Sequence, residues 1–177
     1  MEPLAESELT IGKKKVFENA RELIEEAELL FNNCRFARAY ALSHLAIEEL
    51  EKILEIISVE FELQKGEEVN WGAFFNAFKD HKQKLRGVLL LKRLLACPRG
   101  KILGKDEIEE METTVGKANR TKNSSLYTSI RNSRFQNPSD IISESNAKAT
   151  LEYARIWLGY IEIVNTSGPP SGGPVTA

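Results

Sequence analysis

The chain has 177 residues with 24 basic and 26 acidic side chains, so its formal net charge is −2. This length supports one hydrophobic core, and the acidic balance excludes a global attraction for phosphate groups. No apolar run reaches the roughly 18 residues that span a bilayer, and the first residues lack the pattern of a signal peptide. We therefore expect one cytoplasmic domain without membrane contact, in which any nucleic-acid binding is local.

Two isolated cysteines, Cys34 and Cys97, are the only thiols in the chain. They have neither the CxxC spacing of a metal site nor the density of a disulfide scaffold. We expect both to be reduced and to serve as small apolar side chains. The pattern predicts no metal ion and no other cofactor.

The first two predicted elements are amphipathic helices. From about Ile11 to Phe31, apolar residues recur at the helical spacings of three and four. After a break at Asn32 and Asn33, a second helix from about Arg35 to Leu63 is apolar over a wide arc and closes at Gly66. A helix with so wide an apolar arc needs more than one neighbour, which predicts the central helix of a bundle.

Two further helices are predicted before a long polar stretch. Asn70 is a candidate N-cap for a third helix that ends near Pro98, and a shorter fourth helix covers Lys105 to Ala118. Polar residues then dominate from Asn119 to Asn137. We interpret this stretch as a long polar loop, and loops of this length are often functional.

The last predicted helix begins at Pro138, and the chain closes with a tail rich in glycine and proline. The fold class is therefore all-α, an up-and-down bundle of about five helices with a long polar loop before the last helix. We expect the domain to cover residues 1–165 and the tail 166–177 to be disordered.

Polar residues on the second helix are not explained by the core pattern. His44, Glu48 and Glu51 share one helical stripe, while Lys52 lies four residues from Glu48 and three from Glu49. These residues could form a solvated charged face or part of a site, and both interpretations stay open.

His81 lies on the apolar face of the third helix, so we expect it to point inward. It can be a core histidine with satisfied nitrogens, or a general acid or base because its ordinary pKa lies near neutrality. In either role an inward imidazole needs a hydrogen-bond partner, and we predict Glu48 or Glu49.

Cations and a tyrosine in the polar stretch form the third set. Arg120, Lys122, Arg131 and Arg134 are suited to phosphate, and Tyr127 can orient a reacting group. An ordinary solvated loop explains them equally well.

Three stretches taken together resemble a known family. They are FARAYALSHLAIEELEKIL, FFNAFKDHKQKL and NRTKNSSLYTSIRNSRFQNPSD. In order and spacing they resemble the AbiV-type branch of the HEPN superfamily, with its elements A-x-E-E-x-x-K, F-x-x-H-K-x-K and R/K-x-x-x-L-Y before a proline. The similarity covers about residues 15 to 165.

The resemblance implies a HEPN helical bundle, a homodimer and a role in antiphage defence by abortive infection. By position, the implied residues are Glu48, Glu49 and Lys52, then His81, Lys82 and Lys84, and then Arg120, Leu126 and Tyr127. The wider superfamily is similar to metal-independent ribonucleases with an R-x(4–6)-H motif. Here Arg120 is followed by Tyr127 and by no histidine. A literal match at Arg38 and His44 spans six residues, or roughly 600° of helix, which places the two side chains on different faces.

Three functions follow as hypotheses. The first is an RNA-targeting toxin or metal-independent ribonuclease. Its catalytic residues would be His81, Tyr127, Glu48 and Glu49, and its substrate-binding residues would be Lys52, Arg120, Lys122 and Arg131. The second is a non-catalytic homodimeric module that binds a partner such as a phage-encoded protein. The third is a nucleotide-sensing protein that uses the same polar cluster.

Overall fold

The computed structural model describes residues 2–79 and 105–167. In chain order its elements are α1 (Glu6–Asn32), α2 (Phe36–Gln64), α3 (Trp71–Lys79), α4 (Lys105–Leu126), β1 (Ser129–Arg131), β2 (Arg134–Gln136), α5 (Pro138–Ile141) and α6 (Glu144–Ser167). The all-α class is confirmed. The single pair of short strands forms one hairpin and makes no larger sheet within the described residues.

The main core is formed where α1, α2 and α6 meet. Ala20, Ala27 and Ala46 are fully buried there, and such small side chains let the helix backbones approach closely. Leu50 and Trp157 fill the space between the three helices. Because α2 also contacts α3, α4 and α5, its predicted place as the central helix is confirmed.

The predicted stops and starts around α2 are confirmed by backbone geometry. At its C-terminus Gly66 has φ +70°, and the amides of Gly66 and Glu67 donate to the carbonyls of Leu63 and Glu62. This double hydrogen bond is the Schellman motif, which favours glycine at the left-handed residue. At the start of α3, the Asn70 side chain accepts a hydrogen bond from the Ala73 amide at 3.0 Å.

The predicted loop from Asn119 to Asn137 is wrong in its first half, because α4 continues to Leu126. The part of α4 after Ala118 has no apolar periodicity, because its buried residues are Lys122, Ser124 and Ser125. Its polar composition therefore predicts a loop. In the second half, β1 and β2 pair antiparallel with Ile130 opposite Phe135.

The predicted start of the last helix at Pro138 is also corrected. Pro138 begins the four-residue helix α5, whose Asn137 and Asp140 form a capping box. Ile142 is extended, and Ser143 then accepts a hydrogen bond from the Asn146 amide to start α6. Helix α6 runs to Ser167, two residues beyond the predicted domain end, and residues 168–177 lie outside the described part.

Candidate functional site

Three ionisable side chains meet between α2 and α4, and we call them the buried ionic cluster: His44, Glu48 and Lys122. Lys122 Nζ donates to Glu48 Oε1 at 2.5 Å, and His44 Nδ1 lies 3.3 Å from the same oxygen. Glu48 is 2% exposed and Glu51 is 3% exposed. The interpretation of this stripe as a solvated face is therefore wrong for both carboxylates.

On α2, helical spacing explains why these residues share one face. On α4, a small buried side chain lies next to Lys122. A four-residue step puts His44 and Glu48 on the face of α2 that meets α4. In the last turns of α4, Ser125 is fully buried and donates to the Lys122 carbonyl at 2.6 Å. The small serine lets α4 approach α2 closely enough for the lysine to reach Glu48.

The Glu48 carboxyl has the most informative electrostatics of the cluster. Burial alone raises its pKa, but the nearby His44 imidazole and the hydrogen bond from Lys122, together with their charges, outweigh burial and lower the pKa to about 2. A buried carboxylate is costly without such partners. Glu48 is therefore ionised at neutral pH and holds α4 against α2.

Two tyrosines extend the polar interior beyond the cluster. Burial, reinforced by the charge of the buried Glu51, raises the pKa of Tyr153 on α6 to about 12. Burial also raises the pKa of Tyr40, although a hydrogen bond with Thr121 partly offsets it. Both phenols stay protonated near neutrality. Within the described ranges, His44 Nε2 is buried and has no hydrogen-bond partner.

The other residues of the first sequence element lie beside the cluster. Glu49 and Lys52 form an ion pair with each other, and both side chains are mostly buried. Lys52 Nζ also lies 5.2 Å from the centre of the Phe78 ring. Glu49 and Lys52 are thus engaged with neighbouring groups on the surface of α2.

The structure brings Lys122, rather than Arg120, to the first element. Arg120 is exposed on α4, whereas Lys122 is 6% exposed and bonded to Glu48. A sequence signal for this difference existed. Lys122, and not Arg120, has the four-residue spacing to Leu126 that the R/K-x-x-x-L-Y element requires.

The residues that follow α4 include an exposed group, which we call the hairpin surface and define as Tyr127, Ile130, Arg131, Arg134 and Phe135. Tyr127 is 67% exposed and Phe135 is 80% exposed. Arg131 and Arg134 are exposed and lie opposite each other at the turn. Arg131 also donates to Ser124 Oγ at 3.0 Å, which connects the hairpin to α4.

Several expectations concern residues outside the described ranges or outside the cluster. His81, Lys82 and Lys84 lie outside the described residues, and so does Cys97. Cys34 is a free thiol, as predicted, and its side chain is exposed.

The pair Arg38 and His44 also fails to form a joint site. Arg38 is exposed and donates to the Leu126 carbonyl at 3.0 Å, while His44 is 3% exposed. The two side chains are separated as the helical rotation predicts.

The described part of the chain contains no group of three or more His, Cys, Asp or Glu side chains that could hold a metal ion. Across residues 2–79 and 105–167, none of the helices combines the length and apolar character that a membrane span requires.

The fold and the cluster together define a helical-bundle protein whose second helix is tied to a later helix through buried charges. The family model described as AbiV, of the HEPN type, matches residues 8–158, and the chain therefore belongs to the AbiV family of HEPN proteins. This membership supports a function in abortive infection. Comparison with curated proteins and with solved structures gives no match.

Proposed function

We propose that this AbiV-family protein acts in abortive infection by binding single-stranded RNA at the hairpin surface. The observation that carries the proposal is that exposed cations and exposed rings belong to one short hairpin, with Arg131 and Arg134 on one face and Phe135 on the other. Single-stranded RNA is bound by this combination, because cations contact the phosphates and aromatic rings stack on unpaired bases.

The local charge supports a phosphate ligand. Residues 119–137 contain Arg120, Lys122, Arg131 and Arg134 and no acidic residue, although the chain as a whole carries a net charge of −2. Lys122 is neutralised by Glu48, which leaves the three arginines exposed. Arginine is suited to this role because its guanidinium donates two parallel hydrogen bonds to a phosphate.

The exposed rings support a single strand rather than a duplex. Tyr127 and Phe135 each present an accessible aromatic face. Bases in a duplex are stacked on each other, so their faces are available to side chains only in single-stranded segments. Stacking contributes about 1–3 kcal/mol per base, and it tolerates any sequence.

In this proposal the buried ionic cluster supports the surface instead of touching RNA. The Glu48–Lys122 pair anchors the last turns of α4, and the hairpin begins three residues after that helix ends. Neither partner is open to solvent. An RNA strand would contact the hairpin surface, while the buried ionic cluster fixes the end of α4 from which the hairpin extends.

RNA cleavage is a further step that stays a prediction. Of the residues expected to be catalytic, Tyr127 is exposed, Glu48 is buried, Glu49 is paired with Lys52, and His81 lies outside the described residues. Cleavage of total RNA in the presence of a chelator, lost in His81→Ala, would add metal-independent catalysis to binding. RNA that is bound and left intact would assign a binding function alone.

The binding test uses fluorescence anisotropy with a short single-stranded RNA at several salt concentrations. The double variant Arg131→Ala/Arg134→Ala should bind more weakly. Its log–log salt slope should be smaller by about 1.4, since each lost phosphate contact on a single strand removes about 0.7. Lys14→Ala/Lys148→Ala is the matched control, because it removes two exposed cations from α1 and α6 and should leave the slope unchanged.

The rings are tested separately from the charges. Tyr127→Ala/Phe135→Ala should lower the affinity and keep the salt slope, since the change removes stacking and no charge. Wild-type protein that binds no RNA at low salt would contradict the proposal. Loss of growth arrest in the hairpin variants would then assign the surface to a protein partner.

A further inference from the structure

We propose that Ser133, at the tip of the hairpin, is a phosphorylation site whose modification prevents RNA binding at the hairpin surface. The inference rests on the proposed function, because it names how that same surface is regulated. Ser133 is exposed, and in the chain it lies between Arg131 and Arg134. Its hydroxyl is therefore accessible to a modifying enzyme and close in sequence to two cations.

The backbone of the turn does not explain a serine at this position. Asn132 has φ +50° and Ser133 has φ +60°, so both residues of the two-residue turn are left-handed, as a type I′ turn requires. Asparagine is common at the first position of such a turn, and glycine is preferred at the second. A Cβ atom at a left-handed residue is unfavourable, and only glycine avoids it. The turn itself thus favours glycine at position 133, and the hydroxyl requires another explanation.

The charges around Ser133 favour a phosphate group at this position. Arg131 and Arg134 are paired across the two strands on either side of the turn, and both are exposed. A phosphoserine has a charge of about −1.5 to −2 at neutral pH and three strong acceptor oxygens. Guanidinium groups bind phosphate through paired hydrogen bonds. After modification, both arginines would therefore have a phosphate partner within their own hairpin.

The same two arginines are assigned to RNA in the proposed function. A phosphate on Ser133 cancels most of their combined charge. Its oxygens also compete with the RNA phosphates for the same N–H donors. The modified protein therefore loses the electrostatic part of its RNA affinity, while the exposed rings of Tyr127 and Phe135 are unchanged.

The modifying enzyme would be a serine kinase that recognises arginine beside its target, since kinases select substrates partly by charge patterns. It forms a bond between Ser133 Oγ and the γ-phosphorus of ATP, releases ADP as that phosphorus leaves its bridging oxygen, and takes the hydroxyl proton onto a carboxylate of the kinase. Strands β1 and β2 have three residues each, and a two-stranded hairpin is only marginally stable in water. The tip can therefore open locally and enter a kinase active site.

The binding test compares full chains that carry phosphoserine at one defined position. Phosphoserine at Ser133 should weaken binding of a short single-stranded RNA to the level of Arg131→Ala/Arg134→Ala. It should also reduce the log–log salt slope by about 1.4, since two phosphate contacts are lost. Phosphoserine at Ser7 on α1 is the matched control, because this exposed serine lies between two glutamates instead of two arginines. The control should leave the slope unchanged.

The variant Ser133→Gly separates the hydroxyl from the fold. Glycine suits the left-handed position, so a thermal melt should show equal or higher stability, and the variant should bind RNA as the unmodified wild type does. Mass spectrometry of chymotryptic peptides tests the modification itself. Wild-type protein, recovered before and during phage infection from the cells that naturally carry it, should contain phosphate on Ser133 in one of the two conditions.

The outcomes distinguish this inference from the proposed function. Equal RNA affinity of the Ser133-phosphorylated and unmodified proteins would overturn the inference, while RNA binding at the hairpin surface stands. Absence of phosphate on Ser133 in both conditions would also overturn it, and so would a clear loss of stability in Ser133→Gly, which would assign the serine to the turn. Unmodified protein that binds no RNA would instead reject the proposed function itself, whatever the state of Ser133 in cells.

Discussion

At the scale of single residues, the buried pair of Glu48 and Lys122 is the most consequential contact. Both side chains are almost fully buried, so each depends on the other to offset the loss of hydration. Removing one partner leaves a buried charge that is only partly compensated. His44 Nδ1 lies 3.3 Å from the same carboxylate and is another neighbour of the charge.

We predict that Lys122→Met lowers the free energy of unfolding by about 3–5 kcal/mol. Urea denaturation monitored by circular dichroism measures the loss. The matched control is Lys13→Met, which removes a lysine from another interhelical pair, with Glu60 at 2.7 Å, whose side chains are 23% and 22% exposed. That pair is better hydrated, so its loss should cost about 1 kcal/mol or less.

The combination Glu48→Leu/Lys122→Met tests the cause. Because it removes both charges, it should be clearly more stable than the sum of the two single losses. A double variant that is as unstable as that sum would show that the ion pair does not explain the loss. If this double variant folds, its affinity for RNA measures how strongly RNA binding at the hairpin surface depends on the buried ionic cluster.

The pKa of Glu48 predicts a specific dependence of stability on pH. In the unfolded chain the carboxyl titrates near 4.5, and in the folded protein its pKa is about 2. The lowered pKa stabilises the fold fully above pH 4.5, and this stabilisation is lost as the pH falls towards 2. Its size is about 3 kcal/mol. Chemical denaturation between pH 6 and 2.5 should show a flatter profile for Glu48→Gln, and an equal decline in both proteins would contradict the assignment.

At the scale of elements, α1 and α2 end in the same kind of turn, but a different residue occupies its left-handed position in each. Cys34 after α1 has φ +58° and Gly66 after α2 has φ +70°. In both turns, paired amides donate back to the last carbonyls of the helix. A side chain at a left-handed residue costs about 1–2 kcal/mol, which only glycine avoids.

Cys34→Gly should therefore stabilise the protein by about 1 kcal/mol, while Gly66→Ala should destabilise it by a similar amount. Thermal melts of the two variants measure both effects. Cys34→Ala is the control for loss of the thiol and should bring no gain, because alanine keeps the Cβ atom. A gain of the same size in both Cys34 variants would mean that the thiol, and not the backbone, is unfavourable.

At the scale of the whole molecule, the homodimer implied by the family stays a prediction. Light scattering at micromolar concentration should give twice the chain mass of 19.9 kDa. The outer face of α6 is the first place to test, since Ile156, Tyr160 and Ile163 are exposed at helical spacing. Ile156→Glu should then give a monomer, and Leu29→Glu on α1 is a control with similar exposure. A wild-type monomer would contradict the prediction.

The sequence by itself determined α1, α2 and the start of α3, because each depends on local periodicity and on capping residues. The central place of α2, the stop at Gly66 and the cap at Asn70 are examples. The family was also evident from the three stretches of sequence. Each of these features lies within a window of one or two helices, where residue spacing and backbone preference are sufficient.

Only the tertiary structure decided which charges are buried. Glu48 and Lys122 are 74 residues apart in sequence, and hydrophobic periodicity is insensitive to a lysine that is buried with its partner. For that reason, the local sequence predicts a loop for the last turns of α4 and leaves Glu48 open between a solvated face and a site. The family resemblance likewise implies Arg120, and not Lys122, as the cation of its element. The free energy of a charged side chain depends on the group it meets across the fold, and that group is not visible from local sequence.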